Sequence, residues 1–269
     1  MTIRSLLDRY FIKQPRLRRW VTRVLYGDQD TEVTLFGCRF TINSLRENGY
    51  LRASRKITHS SLLRDEIATL LSLAGLLQPG DTFVDVGANI GLFSCTLARR
   101  TRFHAPGALR FYAYEPHPDT FRRLARNAAA AGVVARNFAV SNMAGSFEFV
   151  DGAVSHVFTR VEQANAYNLP DQRLSIPSVR LDQETIEGNS LVIKVDVEGS
   201  EWGVLQGAVG LFAAGRVKAV YLDGYEDKPA IEAFLRKHGF TFWDMLTLER
   251  VDTSHFGLLA LRAGSGSGY

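Results

Sequence analysis

The 269-residue chain has few cysteines and prolines and lacks any long apolar run. Its two cysteines, Cys38 and Cys95, are far apart and form neither a CxxC pair nor a Cys/His ligand spacing, which indicates a reducing compartment and argues against structural zinc. The longest uncharged runs, 67–80 and 202–215, have fourteen residues each, too few for a transmembrane helix. The composition, 46% apolar and 22% charged, is typical of a globular domain and disfavours a disordered or collagen-like chain.

The net charge of +4 is unevenly distributed. Residues 1–26 carry seven basic side chains and one acid, a local balance of +6 that leaves −2 for the rest of the chain. Arg4, Asp8 and Arg9 interrupt every stretch that could serve as the apolar region of a signal peptide. We therefore expect a cytoplasmic protein with a basic N-terminal arm.

The arm has two interpretations. Its arginines lie opposite Tyr10, Phe11 and Trp20, an amphipathic pattern that suits the anionic inner face of a membrane or a partner groove. The alternative is a helix, interrupted at Pro15, that packs its apolar stripe on the main domain and leaves the arginines in solvent. Nothing after the arm offers the basic stripe with stacking aromatic residues that nucleic acid requires.

Periodicity divides the chain into an N-terminal extension and an α/β domain. The extension, 1–60, contains the arm and a small hairpin around Gly37. The segment 61–263 alternates apolar runs with helical stretches, which predicts βαβ units and a mostly parallel sheet. The tail 264–269 is rich in glycine and serine and is expected to be flexible. The predicted strands of the domain are 82–86, 110–114, 135–140, 191–196, 217–222, 240–243 and 257–261, and its predicted helices are 67–77, 92–100, 118–131, 202–212 and 228–238.

The first motif is a glycine turn between a strand and a helix. The strand ends near Asp85, and the turn runs through Gly87, Ala88, Asn89 and Gly91. The GxGxxG pattern of a dinucleotide site is absent, and Asp85 would repel phosphate but would attract the amino group of a ligand. A tight β–α turn without a ligand is the structural alternative.

The second motif is an acid at the end of the next strand. Glu115 follows Gly91 by 24 residues and is followed by Pro116, a position from which a carboxylate accepts hydrogen bonds from a ribose diol. With the glycine turn it predicts a nucleoside-type cofactor. The alternative places Glu115 beside the N-terminus of the following helix.

The third motif places charges on a strand that both faces of the sheet should bury. Lys194, Asp196 and Glu198 recur at period two around the strand end. Buried charges need partners, and the carboxyl ends of parallel strands are where α/β sheets bind ligands. A salt-bridged strand end, with Glu201 in the first turn of the next helix, is the alternative.

Together these segments resemble the FkbM-family methyltransferases. The resemblance covers about residues 80–262 and is carried by the sequences DVGANIG at 85–91, EP at 115–116, LD at 181–182 and KVDVEGSE at 194–201. It implies a class I S-adenosylmethionine-dependent fold, which is a Rossmann-like, seven-stranded, mostly parallel sheet with one antiparallel strand, at 257–261.

The resemblance also implies residue roles. Asp85 and the turn through Gly91 would bind the methionine part of S-adenosylmethionine, and Glu115 the ribose hydroxyls. Pro116 and the third-strand tip, made by Ala139, Val140 and Ser141, would lie by the adenine. Asp196 would face the sulfonium and the acceptor.

The implied reaction is O-methyl transfer to a hydroxyl of a sugar, a polysaccharide or another small molecule. In-line transfer needs orientation and removal of the hydroxyl proton. Asp196 is the predicted base, with Lys194 and Glu198 setting its protonation and orientation; His156 and His255 are second candidates. No metal is predicted, because the convergence of oxygen ligands that Mg²⁺ needs, from Asp196, Glu198 or Asp223, cannot be seen in a sequence.

Three questions stay open at this stage. An NAD-dependent oxidoreductase would use a similar sheet, although Asn89 disfavours it, and a non-catalytic membrane-surface or partner-binding module would centre on the arm. The acceptor and its regiochemistry are undetermined, with the insert 151–176 expected to select it. The oligomeric state is also open.

Overall fold

The computed structural model describes residues 15–55, 61–102, 107–152, 158–160, 170–245, 247–253 and 257–263. Five features named from the sequence lie wholly or partly outside these ranges: the first fourteen residues of the arm, His156, the insert 151–176 at 153–157 and 161–169, His255 and the tail 264–269.

The N-terminal extension consists of a helix, a hairpin and a short second helix. Helix α1 (Pro15–Tyr26) begins at the proline, whose fixed φ suits a first helical position. Strands β1 (Asp30–Leu35) and β2 (Cys38–Asn43) pair antiparallel around Gly37, which has a φ of 75°, so the predicted hairpin is confirmed. Helix α2 (Asn48–Ser54) follows.

The α/β domain then alternates strands and helices, as predicted. In chain order the elements are α3 (Ser61–Leu76), β3 (Asp81–Val86), α4 (Leu92–Thr101), β4 (Arg110–Tyr114), α5 (Pro118–Ala131), β5 (Val134–Arg136), β6 (Ala139–Val140), β7 (Gly145–Gly152), β8 (Phe158–Arg160), β9 (Pro170–Val179), β10 (Ser190–Val195), α6 (Glu201–Gln206), α7 (Val209–Ala213), β11 (Val217–Leu222), α8 (Lys228–Lys237), β12 (Phe240–Asp244), β13 (Arg250–Val251) and β14 (Leu258–Arg262).

The main sheet has the order β13-β12-β14-β11-β10-β3-β4-β5. Strands β11, β10, β3, β4 and β5 are mutually parallel, and β14 runs antiparallel to both of its neighbours, β11 and β12. This confirms the mostly parallel α/β sheet with an antiparallel strand at the predicted place. The difference is an eighth strand, β13, which pairs antiparallel with β12 and is a second antiparallel strand; its two residues are too few to show a period.

The prediction of one continuous strand over residues 135–140 is wrong. β5 stays in the main sheet, whereas β6 pairs with β9 in a separate four-stranded sheet of order β6-β9-β7-β8. Between β5 and β6, the side-chain amide of Asn137 donates to the carbonyl oxygens of Glu115 (2.8 Å) and Pro116 (3.0 Å). These bonds hold the chain at the tip of β4, so it does not continue along that strand.

The predicted helix 202–212 is likewise divided into α6 and α7. The break falls at Gly207, where a Cβ atom would lie 1.9 Å from the carbonyl oxygen of Ser141. Because the backbone of Ser141 occupies the space of a side chain, only glycine fits there, and the helix is interrupted at this approach.

Apolar side chains cover both faces of the main sheet. On one face the hairpin residues Phe40 and Ile42 share a core with Leu97 and Leu124 of helices α4 and α5. On the other face, Leu205, Phe212 and Leu235 belong to the cluster formed with β10 and β11. The hairpin therefore shares a core with the α/β domain, and the boundary at residues 60 and 61 stays a prediction.

Helix α1 departs from the packed-stripe interpretation. Leu17, Trp20, Val24 and Leu25 are exposed, with Trp20 at 62% of its full accessible surface. Thr22 on the opposite side is buried. The expectation that the apolar stripe packs on the core is therefore wrong for the described part of the arm.

Candidate active site

Strand register brings the main charged residues into one row. Asp85 on β3 pairs with Lys194 on β10, and Lys194 pairs in turn with Tyr221 on β11. Paired residues of adjacent strands extend their side chains to the same face of the sheet, so these three side chains are neighbours near the carboxyl ends of their strands. This is the edge at which α/β sheets bind ligands.

A buried lysine joins two carboxylates in this row. The Lys194 side chain is 2% exposed, and its Nζ lies 3.5 Å from Asp85 Oδ1 and 3.2 Å from Asp196 Oδ2. The ammonium also lies 4.9 Å from the centre of the Phe93 ring, a cation–π distance. Burial lowers the pKa of Lys194, but the charges of Asp196, Asp85, Glu66 and Asp223 outweigh it and the pKa is raised. Lys194 is therefore a fixed positive charge.

Glu66 and Tyr50 reach the same site from the helices of the N-terminal half. Burial, followed by the charges of the nearby acids, raises the pKa of Glu66 to about 8 even though Lys194 opposes the shift. The pKa of Tyr50 is also raised, first by burial and then by the charges of Glu66 and Asp196. The sequence motifs did not identify either residue, because nothing in the local pattern links α2 or α3 to β10.

Tyr221 and Asp223 extend the site along β11. The Tyr221 hydroxyl donates to Asp223 Oδ1 at 2.7 Å, and the Thr69 hydroxyl lies 3.5 Å from the Tyr221 oxygen. Burial and the Asp223 carboxylate raise the pKa of Tyr221, so its hydroxyl stays protonated. The sequence analysis considered Asp223 only as a metal ligand. The spacing of two residues between Tyr221 and Asp223 at a strand end, which Lys194 and Asp196 also show, could have identified it as a site residue.

The glycine turn is held closely against the neighbouring strands. The amides of Gly87 and Ala88 both donate to the carbonyl oxygen of Tyr114, at 3.0 and 2.9 Å, so they secure the turn. Gly87 has a φ of 76°, and a Cβ there would lie 1.9 Å from the Asp196 carbonyl oxygen. A side chain at this position would displace the backbone that carries Asp196.

Two buried oxygens beside the turn accept no hydrogen bond in the described part of the chain: Asn89 Oδ1, and Asp85 Oδ1, which faces the Lys194 ammonium of the ion pair at 3.5 Å. The second oxygen of Asp85, Oδ2, accepts from the Ser94 amide at 3.1 Å, in the first turn of α4. An acceptor without a donor costs about 1–3 kcal/mol when buried. The two atoms therefore suit a ligand that brings its own N–H or O–H groups, such as an amino acid ammonium.

Glu115 is tied to the same turn. Its carboxylate accepts from the amides of Asn89 and His117, both at 2.9 Å. Burial raises the pKa of Glu115 to about 7 against the opposing effect of these hydrogen bonds. The helix cap itself is His117, whose Nδ1 accepts from the amides of Asp119 and Thr120. A carboxylate that retains free lone pairs at this position can accept from ribose hydroxyls.

Of the other residues named from the sequence, Glu198 is near enough to the charged row for its pKa to be raised, first by partial burial of its carboxyl and then by the charge of Asp196. Glu198 is exposed in the bend after β10, with a φ of 51° that takes it out of the period-two row. Ala139 and Val140 are buried in β6, and Ser141 donates its amide to the Val179 carbonyl. Their predicted roles stay predictions.

The described residues offer neither a metal site nor a membrane-spanning helix. They contain no group of three or more His, Cys, Asp or Glu side chains placed to hold a metal ion. None of the helices they form is long and apolar enough to cross a membrane.

Comparisons with known proteins give matches over most of the chain. The family model described as "Methyltransferase FkbM domain" matches residues 85–242, more than half of the chain. Hexuronic acid methyltransferase AglP from Haloferax volcanii is 29% identical over 204 residues, which cover 72% of this chain and 75% of that protein.

Similar solved structures have low sequence identity. Magnesium protoporphyrin IX methyltransferase from Synechocystis, solved with bound SAM, is 11% identical with a TM-score of 0.41 and 98% of each chain covered. A TehB-like SAM-dependent methyltransferase from Corynebacterium glutamicum is 10% identical with a TM-score of 0.43, covering 80% of this chain and 95% of that one.

Proposed function

The chain belongs to the FkbM methyltransferase family, and on that premise we propose that it transfers a methyl group from S-adenosylmethionine to a hydroxyl of a sugar or glycan. The sugar class is supported by the similarity to a hexuronic acid methyltransferase. The observation that carries the proposal is the ion-paired cluster of Asp85, Lys194 and Asp196 beside Asn89 Oδ1, a buried oxygen that accepts no hydrogen bond from the described residues. Hydride transfer to NAD is not retained, because the family transfers methyl groups.

The described residues fit the methyl donor. We propose that Asn89 Oδ1, which accepts no hydrogen bond from the described residues, and the Asp85 carboxylate, which already pairs with Lys194, receive the ammonium group, and that Glu115 accepts from the ribose diol. When bound, S-adenosylmethionine supplies an electrophilic methyl group on a cationic sulfur. The acids at the strand ends give this edge of the sheet a negative potential that favours a cation.

Asp196 is the proposed proton acceptor for the sugar hydroxyl. Its side chain is 37% exposed, whereas Asp85 and Lys194 are buried, so it is the member of the row that an acceptor can reach. Lys194 holds Asp196 Oδ2 at 3.2 Å, which orients the carboxylate and leaves Oδ1 to take the proton. Orientation and proton removal are the two contributions that an in-line methyl transfer needs from the protein.

Lys194 has a positioning role in this scheme. It neutralises part of the charge on Asp85 and Asp196, which would otherwise repel each other across the register of β3 and β10. Burial raises the pKa of both Tyr50 and Glu66 and the charge of Asp196 raises both further, and on that ground we propose that these two residues line the acceptor pocket.

The test is a transfer assay with a labelled methyl donor. Purified protein is incubated with methyl-tritiated S-adenosylmethionine and a panel of neutral hexosides, hexuronosides and amino sugars, with Asp196→Asn and the exposed-surface variant Glu249→Gln alongside the wild type. We expect transfer to at least one sugar, a loss of about 100-fold or more in kcat for Asp196→Asn, and no change for Glu249→Gln. Binding of S-adenosylmethionine without transfer to any sugar would contradict the proposed acceptor class. Absence of S-adenosylmethionine binding would contradict the proposed methyl transfer itself.

The bond that forms decides whether the enzyme is an O-methyltransferase of hydroxyls. A methyl ether survives mild alkali, whereas a methyl ester of a uronic acid carboxylate releases methanol. We expect the label to stay on the sugar. Release of labelled methanol would place the methyl group on a carboxylate and contradict hydroxyl transfer.

A further inference from the structure

Helix α1 presents its apolar side to solvent rather than to the protein. Leu17, Trp20, Val24 and Leu25 are all exposed and fall within a sector of about 140° when residues are placed 100° apart around the helix. A surface helix of a globular protein normally turns this stripe toward the core. Val21, which lies in the same sector, is half-buried, so the described part of the chain covers the stripe only in part and leaves these four side chains exposed.

The opposite side of α1 attaches the helix to the protein. Thr22 is buried, and Tyr26 packs against the core cluster that contains the hairpin. The chain after the helix is bonded to the hairpin end, where the Ser44 hydroxyl donates to the Gly27 carbonyl at 2.6 Å and the Ser44 amide to the Gln29 carbonyl at 3.0 Å. These contacts fix which way the apolar stripe faces.

Basic residues lie on both sides of the stripe. By sequence position, Arg16 and Arg23 are on one side of it and Arg18 on the other. In the sequence, the fourteen residues before the helix add the basic residues Arg4, Arg9 and Lys13 and the single acid Asp8. An apolar stripe flanked by arginines is the arrangement of helices that lie in the plane of a membrane interface, with the apolar side in the acyl region and the basic groups at anionic headgroups.

We propose that α1 docks the protein on an anionic membrane surface through Leu17, Trp20, Val24 and Leu25. A second copy of the chain fits less well, because a two-fold contact would bring two basic arms, each with a charge of +6, against each other. Nucleic acid offers phosphates but no apolar layer for the stripe. The membrane supplies both the negative charge and the apolar layer.

The experiment measures sedimentation of the full-length protein with vesicles. Neutral phosphatidylcholine vesicles are compared with vesicles containing one third phosphatidylglycerol, each at 0.1 M and 0.5 M salt. We expect at least about tenfold stronger binding to the anionic vesicles at low salt, and most of that gain to disappear at high salt because surface charges are screened. Binding that is absent, or equal on both vesicle types, overturns the proposal.

A double variant localises the contact. Trp20→Ser with Val24→Ser replaces two exposed side chains and should reduce vesicle binding about tenfold or more. The matched control, Met143→Ser with Leu248→Ser, removes two apolar side chains of similar exposure elsewhere and should bind as the wild type does. Equal binding by both double variants would overturn the assignment to α1.

Trp20 fluorescence gives a readout that does not depend on sedimentation. Trp20 is exposed whereas Trp202 and Trp243 are half-buried, so the emission of Trp20 should shift to shorter wavelength on anionic vesicles and the shift should be lost in Trp20→Phe. If the wild type does not bind vesicles but forms a concentration-dependent dimer that the Trp20/Val24 double variant abolishes, the stripe contacts a second copy of the chain and the proposal is overturned.

Discussion

Glu66 provides the most direct test of the electrostatics of the site. Its pKa is raised from 4.5 to about 8, mainly by burial, so in the folded protein the carboxyl is neutral at pH 7, whereas in the unfolded chain it is ionised. Folding therefore takes up a proton between pH 4.5 and 8, and the protein loses stability as the pH rises through that window. Above pH 8 both states are ionised and the loss is complete.

The size of the effect follows from the same pKa. At about 1.4 kcal/mol per pKa unit, the ionised Glu66 destabilises the folded state by up to roughly 5 kcal/mol above pH 8. At pH 6 the same pKa values give a destabilisation of the folded state by about 2 kcal/mol. Replacement by glutamine removes the titration, so the stability of Glu66→Gln relative to the wild type should rise by about 3 kcal/mol between pH 6 and pH 9.

Urea unfolding, followed by far-ultraviolet circular dichroism, measures this difference at the two pH values. Contributions from other groups, such as Glu115, occur in both proteins and cancel. The exposed residue Glu249 supplies the control, and Glu249→Gln should show no pH-dependent difference from the wild type. A Glu66→Gln difference that changes by less than about 0.5 kcal/mol would refute the reasoning, since it would mean that Glu66 is solvated and does not share the site with Lys194.

Three further outcomes are expected. Glu115 has a pKa of about 7 and is proposed to bind the donor as an anion, so the affinity for S-adenosylhomocysteine, measured by calorimetry, should fall by up to about tenfold per pH unit below pH 7. The Glu115→Gln variant should bind weakly, with little pH dependence. A wild-type affinity that does not change from pH 5.5 to 8 would contradict this role. Gly207→Ala should lower the free energy of unfolding by about 3 kcal/mol, because the new Cβ would meet the Ser141 backbone. Gly224→Ala is the control and should be close to neutral, since the space around Gly224 is open. Equal effects of the two variants in thermal melts would exclude the steric explanation. Asn127→Ala should cost about 2–4 kcal/mol because the amide bonds both backbone groups of Thr41 and the Ile90 carbonyl; a smaller loss in urea unfolding would show that water replaces these bonds.

Much of the site could be predicted from local sequence because its parts are local. The glycine turn after β3, the acid after β4 and the period-two charges of β10 each need only a few consecutive residues to be recognised. The alternation of apolar runs and helical stretches predicted the parallel sheet, and the position of its antiparallel strand followed from the family resemblance. Chain direction and period determine these features before any long-range contact forms.

Other features depended on contacts between residues far apart in the chain. The strand register that brings Lys194 to Asp85 and Tyr221, and the helices that bring Tyr50 and Glu66 to them, have no local signature. The same holds for Gly207, which is required by the backbone of Ser141, more than sixty residues earlier.

The basic arm shows the division most clearly. Its sequence alone determined a charge of +6 over residues 1–26 and an amphipathic pattern, since residues 100° apart separate apolar from basic positions. Whether the apolar stripe would face the core or the solvent was decided by tertiary structure, because the buried contacts of Thr22 and Tyr26 orient the helix. Periodicity specifies the faces of an element, and only packing against the rest of the chain selects which face is covered.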